Sequence, residues 1–139
     1  MQTVEQWMTP NPITIEADTS IIEAMHLLKE KNVRRFPVTC NGKFCGLITD
    51  RMIKEYMPGK ASSMDTWEVH YILAKATVKD AMNKNPFTIR PDVPISEAAR
   101  TIRDNKIYGL CVTDDNNNLV GLLTITNLME ALISICSSS

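Results

Sequence analysis

With 139 residues, 44% hydrophobic and 22% charged, the chain has the size of one domain and enough apolar side chains to bury a core. A formal net charge of −1 argues against non-specific nucleic-acid binding, which requires a basic face. No apolar run reaches the roughly 18 residues that span a bilayer, and Met1-Gln2-Thr3-Val4-Glu5-Gln6 lacks the basic and apolar regions of a signal peptide, so the expectation is a cytoplasmic protein without nucleic-acid or membrane partners.

In chain order, Val4 to Met8 reads as a short helical turn, stopped by Thr9-Pro10-Asn11-Pro12 because each proline disfavours helix in the residue before it. Ile13-Thr14-Ile15 is alternating and β-branched, which predicts a short strand. Ser20 with Glu23 three residues on is a capping-box signal, and Ile21, Ala24, Met25 and Leu28 then form one apolar helical stripe. Phe36-Pro37-Val38-Thr39-Cys40 and Phe44-Cys45-Gly46-Leu47-Ile48 read as paired strands about an Asn41-Gly42 turn. A helix over about 51–56 closes this first half. Pro58-Gly59-Lys60-Ala61-Ser62-Ser63 is a linker, and Val69, Ile72, Leu73 and Ala76 predict a connecting helix over 66–76.

The second half repeats the order. Pro94 suits a helix start, with Ile95, Ala98, Ala99 and Ile102 as its stripe. Strands follow at 110–113 and 119–123, joined by the polar Asp114-Asp115-Asn116-Asn117-Asn118 turn, then a helix over about 127–133 and a Ser137-Ser138-Ser139 tail. A shift of 74 residues superimposes Val4 on Val78, Asn11-Pro12 on Asn85-Pro86, Thr14-Ile15 on Thr88-Ile89 and Glu23-Ala24 on Glu97-Ala98. One extra residue in the second hairpin turn makes the shift 75, so Gly46-Leu47 meets Gly121-Leu122 and Thr49 meets Thr124. Two copies with so long a period predict a duplicated unit rather than a solenoid. The expected fold is therefore α+β, two β-α-β-β-α repeats over 1–57 and 78–133, with a 58–77 linker and a 134–139 tail.

The four cysteines form no C-x-x-C pair, which gives zinc or thioredoxin-like chemistry little support. A regular two-residue hairpin would put Cys40 opposite Lys43 and Cys45 opposite Val38, a poor diagonal geometry for a disulfide, so core or edge packing is expected for both. His26 and His70 have no second ligand at metal-like spacing, and Trp7 and Trp67 are expected to pack. G-x-S-x-G, H-E-x-x-H, G-x-x-x-x-G-K-[ST] and G-x-G-x-x-G are absent, so no enzyme activity is expected.

The doubled N-P-x-T openings and G-L-x-T turns on this element order resemble the cystathionine β-synthase (CBS) domain in tandem, the Bateman module, over about residues 4–133. The resemblance implies two repeats packed as a pseudo-twofold pair, two clefts built from both copies, and dimerisation. It also implies regulation of an enzyme or transporter by AMP, ADP, ATP or S-adenosylmethionine, with no required cofactor and no metal. On the matching positions, one cleft would use Ile13, Val33 and Arg34, bordered by Arg35, with Leu122, Thr124, Thr126 and Asn127. The mirror cleft would use Phe87, Ile107 and Tyr108 with Leu47, Thr49, Arg51 and Met52.

Residue chemistry supplies the roles. Apolar side chains would sandwich an adenine. Threonine hydroxyls at a helix start would meet ribose or phosphate, and the arginines would pair with phosphate. At the helix-start position where ligand-binding relatives usually carry Asp, this chain has Met52 and Asn127. Asn keeps one acceptor for a ribose hydroxyl, whereas Met offers only a weak thioether, so the first cleft is the better candidate. The plainer readings are that Thr124 and Thr126 cap a helix, that Lys31, Arg34 and Arg35 form a solvated face, and that Asp50 and Arg51 are an exposed charged pair. The functions weighed are a stand-alone adenosine-nucleotide-sensing module, a ligand-free dimerisation scaffold docking on an enzyme or transporter and, as a weaker third, an enzyme or thiol-redox protein.

Overall fold

A computed structural model describes residues 2–56 and 66–137, so the 58–63 linker and Ser138-Ser139 lie outside the described residues, as do the side chains of Thr66, His70 and Leu73. In chain order the elements are α1 (Val4–Trp7), β1 (Thr9–Pro10), β2 (Ile15–Glu16), α2 (Ile21–Glu30), β3 (Arg35–Cys40), β4 (Lys43–Thr49) and α3 (Asp50–Tyr56). They continue with α4 (Thr66–Lys75), α5 (Val78–Ala81), β5 (Thr88–Ile89), α6 (Ile95–Asn105), β6 (Gly109–Thr113), β7 (Leu119–Thr124) and α7 (Ile125–Ser137). The mixed α+β repeat is present twice. The chain sorts into a central unit, residues 13–85, and a terminal unit made of residues 1–12 and 86–139.

The central unit holds a sheet ordered β2-β3-β4, in which β2 and β3 run parallel and β3 and β4 antiparallel. Ser20 caps α2 by accepting the Glu23 N–H at 3.1 Å, as its spacing predicts. Ile21, Ala24 and Leu28 are buried beside Phe36, Val38 and Ile48. Met25 leaves the expected stripe and is 41% exposed, because Leu27, on the opposite flank, packs on the core in its place. On α4, Val69 packs against this core and Ala76, just beyond the helix, is buried. Trp67 lies two residues from Val69, about 200° around the helix, and is 85% exposed rather than packed.

The terminal unit's sheet is ordered β1-β7-β6-β5. Here the first twelve residues join the second repeat: Thr9 pairs with Leu122 and Pro10 with Gly121. Pro10, lacking an N–H, is tolerated because β1 is the sheet edge. Val4 and Trp7 pack with Ala98, Ile102, Leu110, Val112 and Leu123. The central unit does the reciprocal thing with the opening of the second repeat. Leu47 and Asn83 exchange backbone hydrogen bonds of 3.0 and 2.9 Å.

This exchange accounts for the glycines of the repeated phrase. A Cβ on Gly46 would stand 2.7 Å from the Asn83 carbonyl oxygen, and one on Gly121 would collide with Met8 and stand 3.1 Å from the Thr9 oxygen. Only a bare backbone lets the incoming segment approach.

Both hairpins carry a bulge. Thr39 pairs with Phe44 but Val38 with Gly46, leaving Cys45 as the extra residue, and Thr113 pairs with Leu119 but Val112 with Gly121, leaving Val120. Asn41 and Gly42 both have positive φ (53° and 82°), as an Asn-Gly hairpin turn requires. The bulge overturns the expected Cys45–Val38 register and with it the expected separation of the thiols. Cys40 and Cys45 are joined by a disulfide with a Cα–Cα distance of 5.9 Å. A bulge bends its strand and frees the extra residue from strict alternation, which brings the sulfur within reach. Cys111, buried, and Cys136, exposed, lie outside that bond.

Candidate functional site

Each unit ends its sheet in a junction of the same design. A helix terminates at a residue in the left-handed region, Asn32 after α2 and Lys106 after α6 (φ 54° in both). The N–H groups of Val33 and Ile107 fold back to the carbonyls of Leu28 and Ile102, which satisfies helix-end acceptors and aims the chain into the next strand. The following strand lies against the one that opens the last helix of the repeat. Arg35 is thus opposite Thr49, and Gly109 is opposite Thr124. The first residue of each helix is tied across: Asp50 N–H donates to the Arg34 carbonyl at 3.0 Å, and Ile125 N–H to the Tyr108 carbonyl at 3.1 Å.

The residues predicted for two clefts are therefore sorted into two junctions, one per unit. In the central junction, Thr49 is the helix cap, its hydroxyl oxygen accepting the Met52 N–H at 3.1 Å. Asp50 Oδ1 accepts the Arg51 N–H at 2.8 Å. Arg51 itself pairs with Glu55 one turn on, Nε to Oε1 2.9 Å, in solvent. Arg34 and Val33 are exposed, Arg35 is half-buried, and Ile13 is 56% exposed just ahead of β2. Leu47 is half-buried, its backbone committed to Asn83. Met52 is half-buried and packs on the core.

The terminal junction is built differently at the helix start. Asn127 is buried, and its Oδ1 accepts both the Thr124 N–H (2.8 Å) and the Thr124 hydroxyl (3.1 Å), while Thr124 Oγ1 accepts the Asn127 N–H (3.4 Å). This is a reciprocal capping box with asparagine in the place of the usual Glu or Gln. The acceptor that sequence reading lent to a ribose hydroxyl is spent inside the protein, because a side chain at the third helical position reaches the cap N–H without strain. Thr126 is exposed in the first turn, Leu122 and Ile107 are half-buried, and Phe87 and Tyr108 present 48% and 62% of their surfaces. The Thr-x-x-Asn spacing was the signal for this box, and sequence reading missed it by following the ligand instead.

The two junctions differ in chemistry. Arg34, Arg35 and Arg51 gather at the central one, while Thr124-Ile125-Thr126-Asn127 carries no charge and is flanked by exposed aromatic rings. The arginines of the first suit an anionic group, while the N–H groups of Asp50, Arg51 and Met52 are accepted within the protein. The second suits a flat apolar ring. Among the described residues no group of three or more His, Cys, Asp or Glu is placed to hold a metal ion, and no helix is long and apolar enough to cross a membrane.

Comparison with known proteins puts these junctions in context. The CBS domain family matches residues 4–59 and again residues 78–134. A CBS domain-containing protein of Dictyostelium discoideum is 30% identical over 95% of the chain and 92% of its own length. Other relatives are longer, and the chain spans 45%, 22% and 21% of three of them, two of which are enzymes by name. Among solved structures, CBSX2 in complex with AMP aligns with a TM-score of 0.81 at 28% identity, over 97% of this chain and 98% of that one. The CBS domain pair of protein MJ0100, in complex with 5′-methylthioadenosine and S-adenosyl-L-methionine, aligns with a TM-score of 0.78 at 25% identity, over 95% and 96%. With both copies matched and the two junctions in place, this chain belongs to the CBS domain family and contains a tandem pair of its domains.

Proposed function

We propose that this CBS pair is a regulatory module that binds an adenosine-containing ligand (AMP, ADP, ATP or S-adenosylmethionine) and performs no chemistry on it. The observation that carries the reading is the central junction, where the exposed Arg34 immediately precedes the strand residue paired with Thr49 and its carbonyl accepts the first N–H of α3. Arg34 and Arg35 take the phosphate there, with Arg51 exchanging Glu55 for it. In the terminal unit, taken by itself, the exposed Tyr108, Phe87 and Thr126 suit contact with a base or sugar. Solved relatives that hold AMP or S-adenosyl-L-methionine support this ligand class. Binding regulates an attached or docked enzyme or transporter only by the difference in ligand affinity between two conformations.

Isothermal calorimetry with AMP, ADP, ATP and S-adenosylmethionine tests the reading. The expected result is heat of binding that favours phosphate-bearing ligands and weakens in Arg34→Ala. No heat and no thermal shift at millimolar ligand overturns it.

A second reading, a ligand-free dimerisation scaffold, has its own support. Met52 packs inward, Asn127 closes on Thr124, and Ile125, Met129, Leu132 and Ile133 leave an exposed apolar stripe along α7. We propose a homodimer through that stripe under either reading. Sedimentation of Leu132→Lys/Ile133→Lys is expected to show monomer, and an unchanged dimer rejects this surface.

A further inference from the structure

We infer that Cys40 and Cys45 form an exchangeable dithiol–disulfide couple, a redox-modification site on the β3–β4 hairpin that takes a small thiol or dithiol as its reaction partner. Three observations separate this bond from a structural staple.

The first is the matched hairpin in the terminal unit. It makes the same bulge at Val120 with no bridge, and its tip is closed by Asp114, whose Oδ1 accepts the N–H groups of Asn116 and Asn118 at 2.9 Å each. The register beyond the bulge, Val38 to Gly46 through Arg35 to Thr49, therefore follows from the glycine and the segment packed on it rather than from the sulfur bond. The second is the size of the loop. Four residues separate the cysteines, and bonds that close short loops remove the least chain entropy from the unfolded state. The tip also has other closures: Asn41 and Gly42 are residue types that favour the positive φ of the turn, and Glu16 accepts the Asn41 N–H at 3.1 Å and the Thr39 hydroxyl.

The third is access. Both cysteines are half-buried near the tip, unlike the buried Cys111. Cys40 lies opposite the exposed Lys43 in the ladder, and a neighbouring cation favours a thiolate as leaving group. In a reducing compartment, bonds of this kind are transient and report redox state.

The exchange balances as a two-electron step. A thiolate of the dithiol attacks one sulfur of the pair, the other cysteine leaves as a thiolate and takes up a proton, and a mixed disulfide forms. The second thiol of the reagent, losing its proton, then attacks its own half of that bond. The products are two cysteine thiols and a cyclic disulfide of the reagent.

The test equilibrates the whole chain in reduced and oxidised dithiothreitol mixtures, traps thiols with a maleimide and digests with trypsin. Cleavage after Lys43 separates the two cysteines unless they are bridged. The expected result is one reversible transition in which the Cys40 and Cys45 peptides change together, while near-ultraviolet circular dichroism shows the protein still folded. A pair that stays alkylatable at every oxidant ratio overturns the inference, and so does a bond that is reduced only after unfolding. Cys45→Val, which copies Val120 of the other hairpin, is expected to fold and to abolish the transition. Loss of folding in both Cys45→Val and Cys40→Ser identifies the bond as a structural staple and rejects the proposal.

Discussion

The two strand-to-helix junctions arise from a duplicated phrase, yet they spend their polar atoms differently. In the central unit Thr49 uses its oxygen to hold the Met52 N–H, and Met52 turns inward to the core. In the terminal unit Asn127 and Thr124 satisfy each other, hydroxyl included. The central junction thus carries exposed Arg34 beside a cap made by the threonine alone, whereas at the terminal one threonine and asparagine cap each other and Tyr108, Phe87 and Thr126 are exposed. The difference teaches that a helix-start residue has two possible customers, its own cap and a ligand, and that a single side-chain change decides which is served.

Substitutions sharpen that contrast. The largest expected effect is on the glycines that admit the exchanged segments. Gly46→Ala is expected to cost about 2–3 kcal/mol and Gly121→Ala about 1–2, in the range of overpacking penalties. The order follows from the obstruction, which is a backbone carbonyl at Gly46 but mainly the side chain of Met8 at Gly121. Urea denaturation of both variants measures it, and equal losses would show that the two segments are held alike.

Next, Arg34→Ala is expected to weaken a phosphate-bearing ligand by roughly tenfold or more, the value of a charge-assisted hydrogen bond, and to leave Tm unchanged. Tyr108→Ala is expected to weaken ligands regardless of phosphate. Should both variants lose the same ligands to the same degree, the division into a charged and an aromatic junction is wrong.

Asn127→Ala is expected to destabilise the protein by about 1 kcal/mol through loss of the cap. Asn127→Asp is expected to keep the cap on one carboxylate oxygen and use the other to tighten adenosine binding. Calorimetry of the Asp variant showing unchanged or weaker affinity would mean the ribose is placed elsewhere.

A smaller effect is expected from Arg51→Ala, below about 0.5 kcal/mol, because its pair with Glu55 is exposed and spaced i,i+4. A greater loss in thermal melts would mean that Arg51 has a second partner.

The last contrast is between the hairpin tips. The Asn118 N–H first, and then Asn116, Asn118 Nδ2 and the charge of Arg90, hold the Asp114 carboxyl below its ordinary value of 3.8 against the opposing effect of desolvation. A carboxylate with a depressed folded pKa contributes stability that is fully present above the unfolded value and lost as pH falls through the folded one. Wild-type Tm is therefore expected to drop below pH 3.8 more steeply than that of Asp114→Asn, and parallel acid limbs would contradict it.

Much of the fold was legible because it rests on local rules. Ser20 with Glu23, the Asn41-Gly42 turn and the two apolar stripes act over three to seven residues, and the structure places elements there with ends moved by a few positions. Helix α7 starts at Ile125 rather than 127 because Thr124, not Thr126, is the cap. The bulges were not legible, since each depends on a segment arriving from the other repeat. That single hidden residue reversed the expectation for Cys40 and Cys45. For the candidate site, the residue types at the junctions could be read from the sequence, but whether Asn127 reaches its own cap depended on a competition that spacing alone leaves open.

The amino-acid order by itself determined that there are two copies of one α+β unit, where most of their helices and strands lie, and which polar residues sit at the strand ends, because periodicity and capping act between near neighbours. Only the tertiary structure decided that each copy gives its opening segment to the other's sheet, that Gly46 and Gly121 exist to admit it, and how each of two matched junctions caps its helix. Those outcomes depend on backbone approach between residues more than thirty positions apart, and no pattern within either repeat encodes that distance.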